Sequence, residues 1–237
     1  VTSCNADFNV ARLERYLAMC AASGCLPLVI LTKADQCDDP ADYVKQAEKL
    51  SPMLSAIAVN ATDDEDVKRL NPWCSDGQTL ALVGSSGVGK TTIQNRLTDV
   101  IDTTQDIRAG DAKGRHTTTN RNLRATFAGG WLIDTPGMRE LRLVDAEAGV
   151  DEVFGDITEL AASCKFNDCA HVTEPGCAIR AAIAAGDLDT DRIERWRKLE
   201  KENRFNTATV GENRGHLKRL QKMHDEGQAR GKAKRKT

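Results

Sequence analysis

In the larger, N-terminal part of the chain, short apolar runs alternate with amphipathic segments. Runs of five or six residues bounded by turns are typical of buried strands, and they occur as LPLVIL at 26–31, AIAVN around 57–60, TLALV at 79–83, LRATFA at 123–128 and GWLID at 130–134. Between them, apolar residues recur at helical spacing around 40–50, around 63–70 and in NVARLERYLAMCAAS, where Val10, Leu13, Leu17 and Cys20 share one face. This alternation predicts an α/β domain with a mostly parallel sheet.

The strand pattern stops after about residue 145, and only helical patterns follow. They are DEVFGDITELA, CAIRAAIAAG and DRIERWRKLEKENRF. In the last of these, Trp196 and Phe205 share helical spacing with Ile193 and Leu199, which predicts that both aromatic side chains pack in a core rather than stack on RNA bases. We therefore predict a sheet domain over 1–147 and a small, mainly α-helical domain over 148–237.

The composition is that of a globular protein, with 40% hydrophobic and 29% charged residues. No apolar run approaches the roughly 20 residues of a membrane-spanning helix, and the start VTSCNADFNV lacks a signal-peptide pattern. The net charge of −2 hides an asymmetry, because ten Lys or Arg and only three Asp or Glu lie from Arg204 onward. A basic tail on an acidic body suits a polyanionic partner, although a solvated, disordered end has the same composition.

The run GSSGVGKTT directly follows the TLALV strand and precedes a helical pattern. It fits the pattern of a phosphate loop, in which glycines let backbone N–H groups curl around phosphate oxygens. Lys90 is predicted to neutralise the β- and γ-phosphates during catalysis, and the Thr91 hydroxyl is predicted to bind Mg²⁺. The predicted contacts to the nucleotide phosphates are Gly84, Ser85, Ser86, Gly87, Val88, Gly89, Lys90, Thr91 and Thr92.

A second candidate segment, Thr32-Lys33-Ala34-Asp35, follows the LPLVIL strand at the edge where parallel sheets bind ligands. An ionised Asp35 would accept hydrogen bonds from N1–H and the 2-amino group of guanine. Adenine has no donor at either position, so it would leave this carboxylate buried and unpaired. The aliphatic part of the Lys33 side chain can pack against the face of the guanine ring. Thr32 replaces the usual Asn, so we expect guanine selectivity with slightly weaker affinity, and Asn60 stands where a second loop normally supports the base.

Two further segments complete a nucleotide site. Asp134-Thr135-Pro136-Gly137 ends the GWLID strand. We predict that Asp134 holds a Mg²⁺-bound water and that the Gly137 N–H contacts the γ-phosphate. In GDAKGRHTTT, one of Thr117, Thr118 and Thr119 is predicted to close over Mg²⁺, with Thr118 as the central candidate. The base-recognition segment precedes the phosphate loop, which reverses the usual order and indicates a circular permutation that preserves the site.

Three cysteines and one histidine cluster in the predicted helical domain, namely Cys164, Cys169, His171 and Cys177. Three thiolates and an imidazole in so short a span suit one tetrahedral Zn²⁺. Four protein ligands leave no open position, so the ion would be structural rather than catalytic. The alternative is that the four residues are unrelated and merely buried.

Together, LTKAD, GSSGVGKTT, GRHTTT, DTPGMRE and CKFNDCAHVTEPGCAI closely resemble the RsgA/YjeQ family of circularly permuted bacterial GTPases. The resemblance extends from FNVARLERYL to the C-terminal helix. It implies hydrolysis of GTP to GDP and phosphate stimulated by the small (30S) ribosomal subunit, a role in late maturation of that subunit, and contacts with 16S rRNA. We expect a cytoplasmic monomer with no membrane partner. Members of the family carry an N-terminal OB-fold, and we find no such five-stranded segment in this sequence.

Hydrolysis also needs a group that orients the attacking water. Many GTPases place a Gln directly after the D-x-x-G glycine, where this chain has Met138, so we expect slow intrinsic hydrolysis. His116 is the predicted catalytic residue, and contact with rRNA or solvent is its alternative role. Two other functions stay open. The first is a GTP-regulated RNA-binding module whose hydrolysis is incidental. The second is a permuted GTPase of the large ribosomal subunit, and the Cys/His cluster argues against it.

Overall fold

The structure is a computed structural model that describes residues 1–51, 54–99, 122–134 and 143–208. It divides into two compact units, Val1–Leu141 and Arg142–Thr237. Every strand of the described residues belongs to the first unit, together with four helices, and the described part of the second unit is helical. Within the described ranges, no helix combines the length and the apolar character needed to cross a membrane.

Three parallel strands form the first sheet, in the order β1 (Thr2–Ser3), β2 (Leu28–Thr32) and β3 (Ser55–Ala58). The crossovers between them contain α1 (Val10–Ala22) and α2 (Pro40–Glu48). Asn9 and Asp39 start these helices, because their side chains accept hydrogen bonds from backbone N–H groups of the first turn. The central strand β2 is buried from its second residue onward, which explains its unbroken apolar sequence.

The second sheet contains β4 (Thr79–Ala81), β5 (Asn122–Ala125) and β6 (Trp131–Asp134), in the order β4–β6–β5. Strands β4 and β6 are parallel, whereas β5 and β6 form an antiparallel hairpin at the edge. Helix α3 (Asp64–Lys68) precedes this sheet, and α4 (Lys90–Leu97) follows β4. The predicted α/β fold with mostly parallel strands is confirmed, and the edge hairpin is its antiparallel part.

One hydrophobic core joins the two sheets of the first unit. Its buried members come from both sheets and from the helices and loops beside them: Ile30, Val59, Ala61, Val67, Leu70, Cys74, Leu82, Ile93, Leu97 and Leu132. The backbone nitrogen of Val1, next to β1, donates to the Val83 carbonyl oxygen at 2.6 Å. Because β1 pairs with the last residues of β2, this contact places the C-terminal ends of β2 and β4 at the same edge.

The described part of the second unit contains α5 (Glu147–Val153), α6 (Gly155–Ala162), α7 (Ala178–Ala185) and α8 (Thr190–Thr207). The pattern DEVFGDITELA forms two helices rather than one, because the backbone leaves the helical conformation at Phe154. This break leaves the Val153 carbonyl oxygen near the end of α5, where it accepts a hydrogen bond from Arg192 at 2.9 Å. The same guanidinium binds both carboxylate oxygens of Asp156 at 2.8 Å and lies 4.8 Å from the Phe154 ring centroid.

The C-terminal end of α8 caps the start of α5. The Asn203 side chain is only 9% exposed and accepts a hydrogen bond from the Ala146 N–H at 2.9 Å. The Asp145 N–H donates to the Thr207 hydroxyl, also at 2.9 Å, so two N–H groups near this helix start have partners. The predicted packing of Phe205 in the core is wrong, because its side chain is 45% exposed, and Trp196 is partly buried.

Candidate nucleotide site and metal cluster

The phosphate loop, residues 84–91, turns between β4 and α4 at the C-terminal edge of the sheets. Gly84 starts it at φ 150°, and a Cβ atom there would lie 2.1 Å from the Val1 carbonyl oxygen, so no other residue fits. Ser86 and Gly87 are exposed at the tip, whereas Val88 is 1% exposed and anchors the loop in the core. Thr91 and Thr92 lie in the first turn of α4. The sequence therefore folds locally as the phosphate-loop pattern predicted.

Lys90 lies over the loop that precedes it. Its ammonium group donates to the Gly84 carbonyl oxygen at 2.8 Å and to the Ser85 carbonyl oxygen. Lys90 is also the first residue of α4, and the Gly89 before it provides no side-chain cap. Uncapped N–H groups at a helix start, next to an ammonium group, form a site for an anion such as a phosphate.

The base-recognition segment, residues 32–35, lies directly beyond the end of β2. Lys33 adopts the left-handed conformation at φ 58°, which turns the chain into a short 3₁₀ helix over Ala34–Gln36. The Ala34 N–H donates to the Val59 carbonyl oxygen at 3.4 Å, so the turn rests against the loop that follows β3. Asp35 is exposed on this turn, where its carboxylate is accessible to a ligand.

Thr32 lies beneath the phosphate loop. Its side chain is fully buried, and its hydroxyl is 2.7 Å from the Val88 carbonyl oxygen and 3.2 Å from the Thr2 carbonyl oxygen. A hydroxyl has one proton, so the shorter contact to Val88 is the stronger one. In the structure this hydroxyl ties β2 to the phosphate loop, and the contact of Thr32 with the nucleotide stays a prediction. A Cβ atom on Gly89 would lie 3.4 Å from the Thr32 methyl group, so the two segments pack closely.

Asn60 lies in the loop after β3, beside the base-recognition segment. Its side-chain oxygen accepts hydrogen bonds from the backbone N–H and the hydroxyl of Thr62, at 2.9 and 2.7 Å. Its own N–H donates to the Asp66 carboxylate at 2.5 Å. These bonds fix the conformation of the loop that follows β3, and support of the base by Asn60 stays a prediction.

Arg12 is a site residue that the sequence analysis missed. It lies in the first turn of α1, and one nitrogen of its guanidinium donates both to the Ser85 hydroxyl of the phosphate loop and to the Asp7 carboxylate. On a sequence, an arginine on the polar face of an amphipathic helix is most simply solvent-exposed. No spacing pattern links it to Ser85, 73 residues later, so only the folded chain reveals the contact.

The remaining predicted nucleotide contacts belong mostly to segments outside the described residues. His116, Thr118 and Gly137 lie outside them. Asp134 is the last residue of β6, and the parallel register that pairs Ile133 with Ala81 brings its backbone to the level where β4 continues into the phosphate loop.

The Cys/His cluster brings together all four of its predicted ligands. Cys164 follows α6 and Cys177 precedes α7, while Cys169 and His171 lie in the loop between them. The His171 Nδ1 atom is 3.5 Å from the Sγ atoms of both Cys164 and Cys177, which are 3.9 Å from each other. All four ligand atoms lie within 4.8 Å of one another. Zinc bonds of about 2.3 Å to sulfur and about 2.0–2.1 Å to nitrogen give a tetrahedron with edges of about 3.6–3.8 Å. The three distances among Cys164, His171 and Cys177 are close to this size, and the Cys169 sulfur is near enough to serve as the fourth ligand, so the residues fit Zn²⁺.

Backbone donors around Cys164 favour the ionised form of its thiol. Burial opposes ionisation of Cys164, but the N–H groups of Ala178 and Ile179 at the start of α7 lower the pKa of its thiol overall. Burial first, and the Arg197 charge second, lower the pKa of His171, which keeps its imidazole neutral. A thiolate and a neutral imidazole are the forms that bind metals.

Two further side chains hold the loop between Cys169 and Cys177. The Glu174 carboxylate accepts hydrogen bonds from the N–H groups of Ala170, Val172 and Thr173 at 2.9–3.1 Å. Backbone N–H groups, its own first, lower the pKa of Glu174 to about 2. Arg197 from α8 donates to the His171 and Ala170 carbonyl oxygens at 2.8 and 3.2 Å. The sequence does not predict a role for either residue, because neither is a metal ligand.

This geometry defines a phosphate-loop α/β protein whose base-recognition segment precedes its phosphate loop, followed by a helical unit with a Cys₃His cluster. Comparison with known proteins places the chain in the same class. The model of the RsgA GTPase family matches residues 1–144. The chain therefore belongs to the RsgA GTPase family.

Curated relatives cover nearly all of this chain. The protein named small ribosomal subunit biogenesis GTPase RsgA of Mesorhizobium japonicum is 52% identical over 91% of this chain and 63% of its own length. Small ribosomal subunit biogenesis GTPase RsgA 2 of Vibrio parahaemolyticus is 49% identical over 94% of this chain and 63% of its own length. The chain thus spans about 63% of the length of these relatives.

Two solved structures share the fold. YjeQ from Thermotoga maritima superposes with a TM-score of 0.59 at 23% identity, over 84% of this chain and 68% of that one. YloQ, described as a circularly permuted GTPase, gives a TM-score of 0.58 at 23% identity, over 88% of this chain and 68% of that one. The permuted order predicted from the sequence agrees with this fold.

Proposed function

We propose that this chain binds guanine nucleotides and hydrolyses GTP to GDP and phosphate. The observation that carries the proposal is the Thr32–Val88 hydrogen bond, which joins two segments 56 residues apart at one sheet edge. A phosphate-binding loop and a base-binding segment held together in this way suit one ligand with a phosphate group at one end and a base at the other. Membership of the RsgA GTPase family supports the same function.

Each segment of the predicted nucleotide site has a role in this proposal. Lys90 and the N–H groups of the phosphate loop bind the β- and γ-phosphates, and Asp35 accepts hydrogen bonds from guanine. The hydroxyl of Thr91 would hold Mg²⁺, with Thr118 and Asp134 as the further candidates. When bound, Mg²⁺ neutralises the charge that develops on the phosphates.

The proposed hydrolysis is slow without a partner. Met138 follows the D-x-x-G glycine and has no group that could orient a water molecule. His116 is the proposed catalytic residue within the chain. A partner that positions His116 would then raise the turnover rate.

We propose that this partner is the small (30S) ribosomal subunit, with contacts to 16S rRNA, and that the protein acts as a cytoplasmic monomer in a bacterium. The support comes from the names of the relatives, which are small ribosomal subunit biogenesis GTPases. The basic tail predicted from the sequence suits a ribonucleic acid partner, because phosphate contacts dominate such binding.

We also propose that Cys164, Cys169, His171 and Cys177 hold one structural Zn²⁺. The support comes from the spacing of their four ligand atoms, all within 4.8 Å. Because all four coordination positions would be filled by protein, the ion would stabilise the helical unit and would take no part in hydrolysis.

The test is multiple-turnover hydrolysis of GTP with and without purified small subunits. We expect a low basal rate that rises many-fold with small subunits and not with large subunits. Lys90→Ala is the control for contaminating activity, and it should abolish both rates. Competition by ATP as strong as that by GTP would refute the guanine assignment, and an unchanged rate with small subunits would refute the partner.

A further inference from the structure

Arg12 connects α1 to the phosphate loop from outside the phosphate site. Its backbone N–H donates to Asn9 at 2.9 Å, so the residue is fixed in the first turn of the helix. One guanidinium nitrogen donates to the Ser85 hydroxyl and to the Asp7 carboxylate, the latter at 3.1 Å. The side chains of Arg12 and Asp7 are about one-third exposed, at 34% and 30%.

Asp7 is itself held by the end of β1. Its N–H donates to the Asn5 side chain at 2.9 Å, and its carbonyl oxygen accepts from the Thr2 hydroxyl at 3.3 Å. One oxygen of its carboxylate binds Arg12, and the other is buried and has no hydrogen-bond partner in the described part of the chain. Arg12 is thus the charged partner of a carboxylate at the side of the phosphate loop.

Ser85 is held on two sides. Lys90 donates to its backbone carbonyl oxygen, and Arg12 donates to its hydroxyl. Because the same guanidinium nitrogen binds Ser85 and Asp7, the two oxygens lie within about 6 Å of each other, the sum of two hydrogen-bond lengths. Without Arg12, the Asp7 carboxylate would face a bound polyanion without its cation.

We propose that Arg12 is a positioning residue, which fixes the phosphate loop through Ser85 and neutralises Asp7 beside the bound phosphates. The inference rests on the proposed binding of guanine nucleotides. Arg12 does not contact the reacting atoms in this proposal, because its side chain contacts the phosphate loop and Asp7. Its interaction is therefore the same in the ground state and the transition state, so its loss raises KM and leaves kcat unchanged.

The test is the affinity for fluorescent mant-GDP. Arg12→Ala removes a charge-assisted hydrogen bond and should weaken binding about tenfold, whereas Arg12→Lys keeps the charge and should lose less. Adding Asp7→Asn to Arg12→Ala should restore part of the affinity, because it removes the uncompensated carboxylate. Lys68→Ala is the matched control, since it breaks an exposed pair with Glu65 at 2.5 Å on α3, and its affinity should equal that of the parent.

A purely structural role predicts a different pattern. It would lower the fraction of active protein and the unfolding midpoint, without recovery on adding Asp7→Asn. A folded Arg12→Ala variant that binds mant-GDP within about twofold of the parent overturns the inference, and so does a fall in kcat at saturating GTP. If Arg12→Ala does not fold, Arg12→Gln gives the decision, because the amide can still donate to Ser85 but carries no charge to balance Asp7, and it should still weaken binding severalfold. A parent chain that binds no mant-GDP would overturn the proposed function as well, which separates the two failures.

Discussion

Replacing Thr32 by Val removes the hydroxyl that ties β2 to the phosphate loop. The two side chains have nearly the same shape, so the change deletes a hydrogen bond and leaves the packing against Gly89 in place. Thr32 is fully buried and its hydroxyl lies 2.7 Å from the Val88 carbonyl oxygen. Because Val88 is also buried, water cannot replace the lost donor. A methyl group would then face the carbonyl oxygens of Val88 and Thr2.

The magnitude follows from the burial of both partners. Removing one partner of a buried hydrogen bond costs about 1–3 kcal/mol, because the acceptor left behind is desolvated. We therefore expect Thr32→Val to lower the free energy of unfolding by about 1–3 kcal/mol. The Val88 carbonyl belongs to the phosphate loop, so part of this loss should also weaken mant-GDP binding, by about three- to tenfold.

The measurements are equilibrium unfolding in urea and mant-GDP titration on the same preparation. Thr98→Val is the matched control, because Thr98 is 1% exposed and its hydroxyl binds the Gln94 carbonyl oxygen at 3.0 Å. That carbonyl oxygen keeps a second donor, the Thr98 N–H at 3.0 Å. Thr98→Val should therefore lose less unfolding free energy than Thr32→Val, and it should bind mant-GDP like the parent. Equal affinity of Thr32→Val and parent would show that the bond does not shape the phosphate loop.

Three further predictions concern the second unit. Removal of Zn²⁺ by EDTA should reduce the helical circular dichroism of this unit while mant-GDP binding persists, and loss of both signals, or of neither, would contradict the structural role of the cluster. Glu174→Gln should speed zinc release to a coloured chelator, because a neutral amide holds the N–H groups of the loop less well than a carboxylate; release at the parental rate would rule this out. Burial raises the pKa of Asp156, but the hydrogen bond and charge of Arg192 lower it overall, below the ordinary 3.8. The Asp156–Arg192 pair thus stabilises the fold at neutral pH and loses this effect as the pH falls through the folded-state pKa of Asp156. Asp156→Asn should therefore lower the free energy of unfolding at pH 7 and approach the parent in strong acid. A difference in unfolding free energy that stays constant with pH would refute the assignment.

The sequence predicted the fold well where local patterns decide it. The apolar run at 26–31 corresponds to β2, and the amphipathic pattern from Val10 corresponds to α1. The phosphate loop and the Cys/His cluster were also predictable, because their spacing reflects backbone geometry and metal coordination. In each case the residues that form the feature are close together in the chain.

Contacts between distant segments were not predictable. The burial of Thr32 depends on how closely β2 packs against Gly89, and the role of Arg12 depends on where α1 starts relative to Ser85. The end of α5 at Phe154 is a third example, because the tertiary contact with Arg192 stabilises a break that helical periodicity does not contain. Periodicity describes which face of an element is buried and not which atoms meet across the core.

The strands that hold the phosphate loop in place, β1–β3, are synthesised before the loop itself. Translation runs from the N-terminus at about 5–20 residues per second, so β1–β3 leave the ribosome seconds ahead of Gly84. During that interval the core positions Ile30 and Val59 have no Leu82 or Leu132 to cover them. The first sheet of the nascent chain therefore exposes part of its apolar surface to solvent until the rest of the domain emerges and buries it.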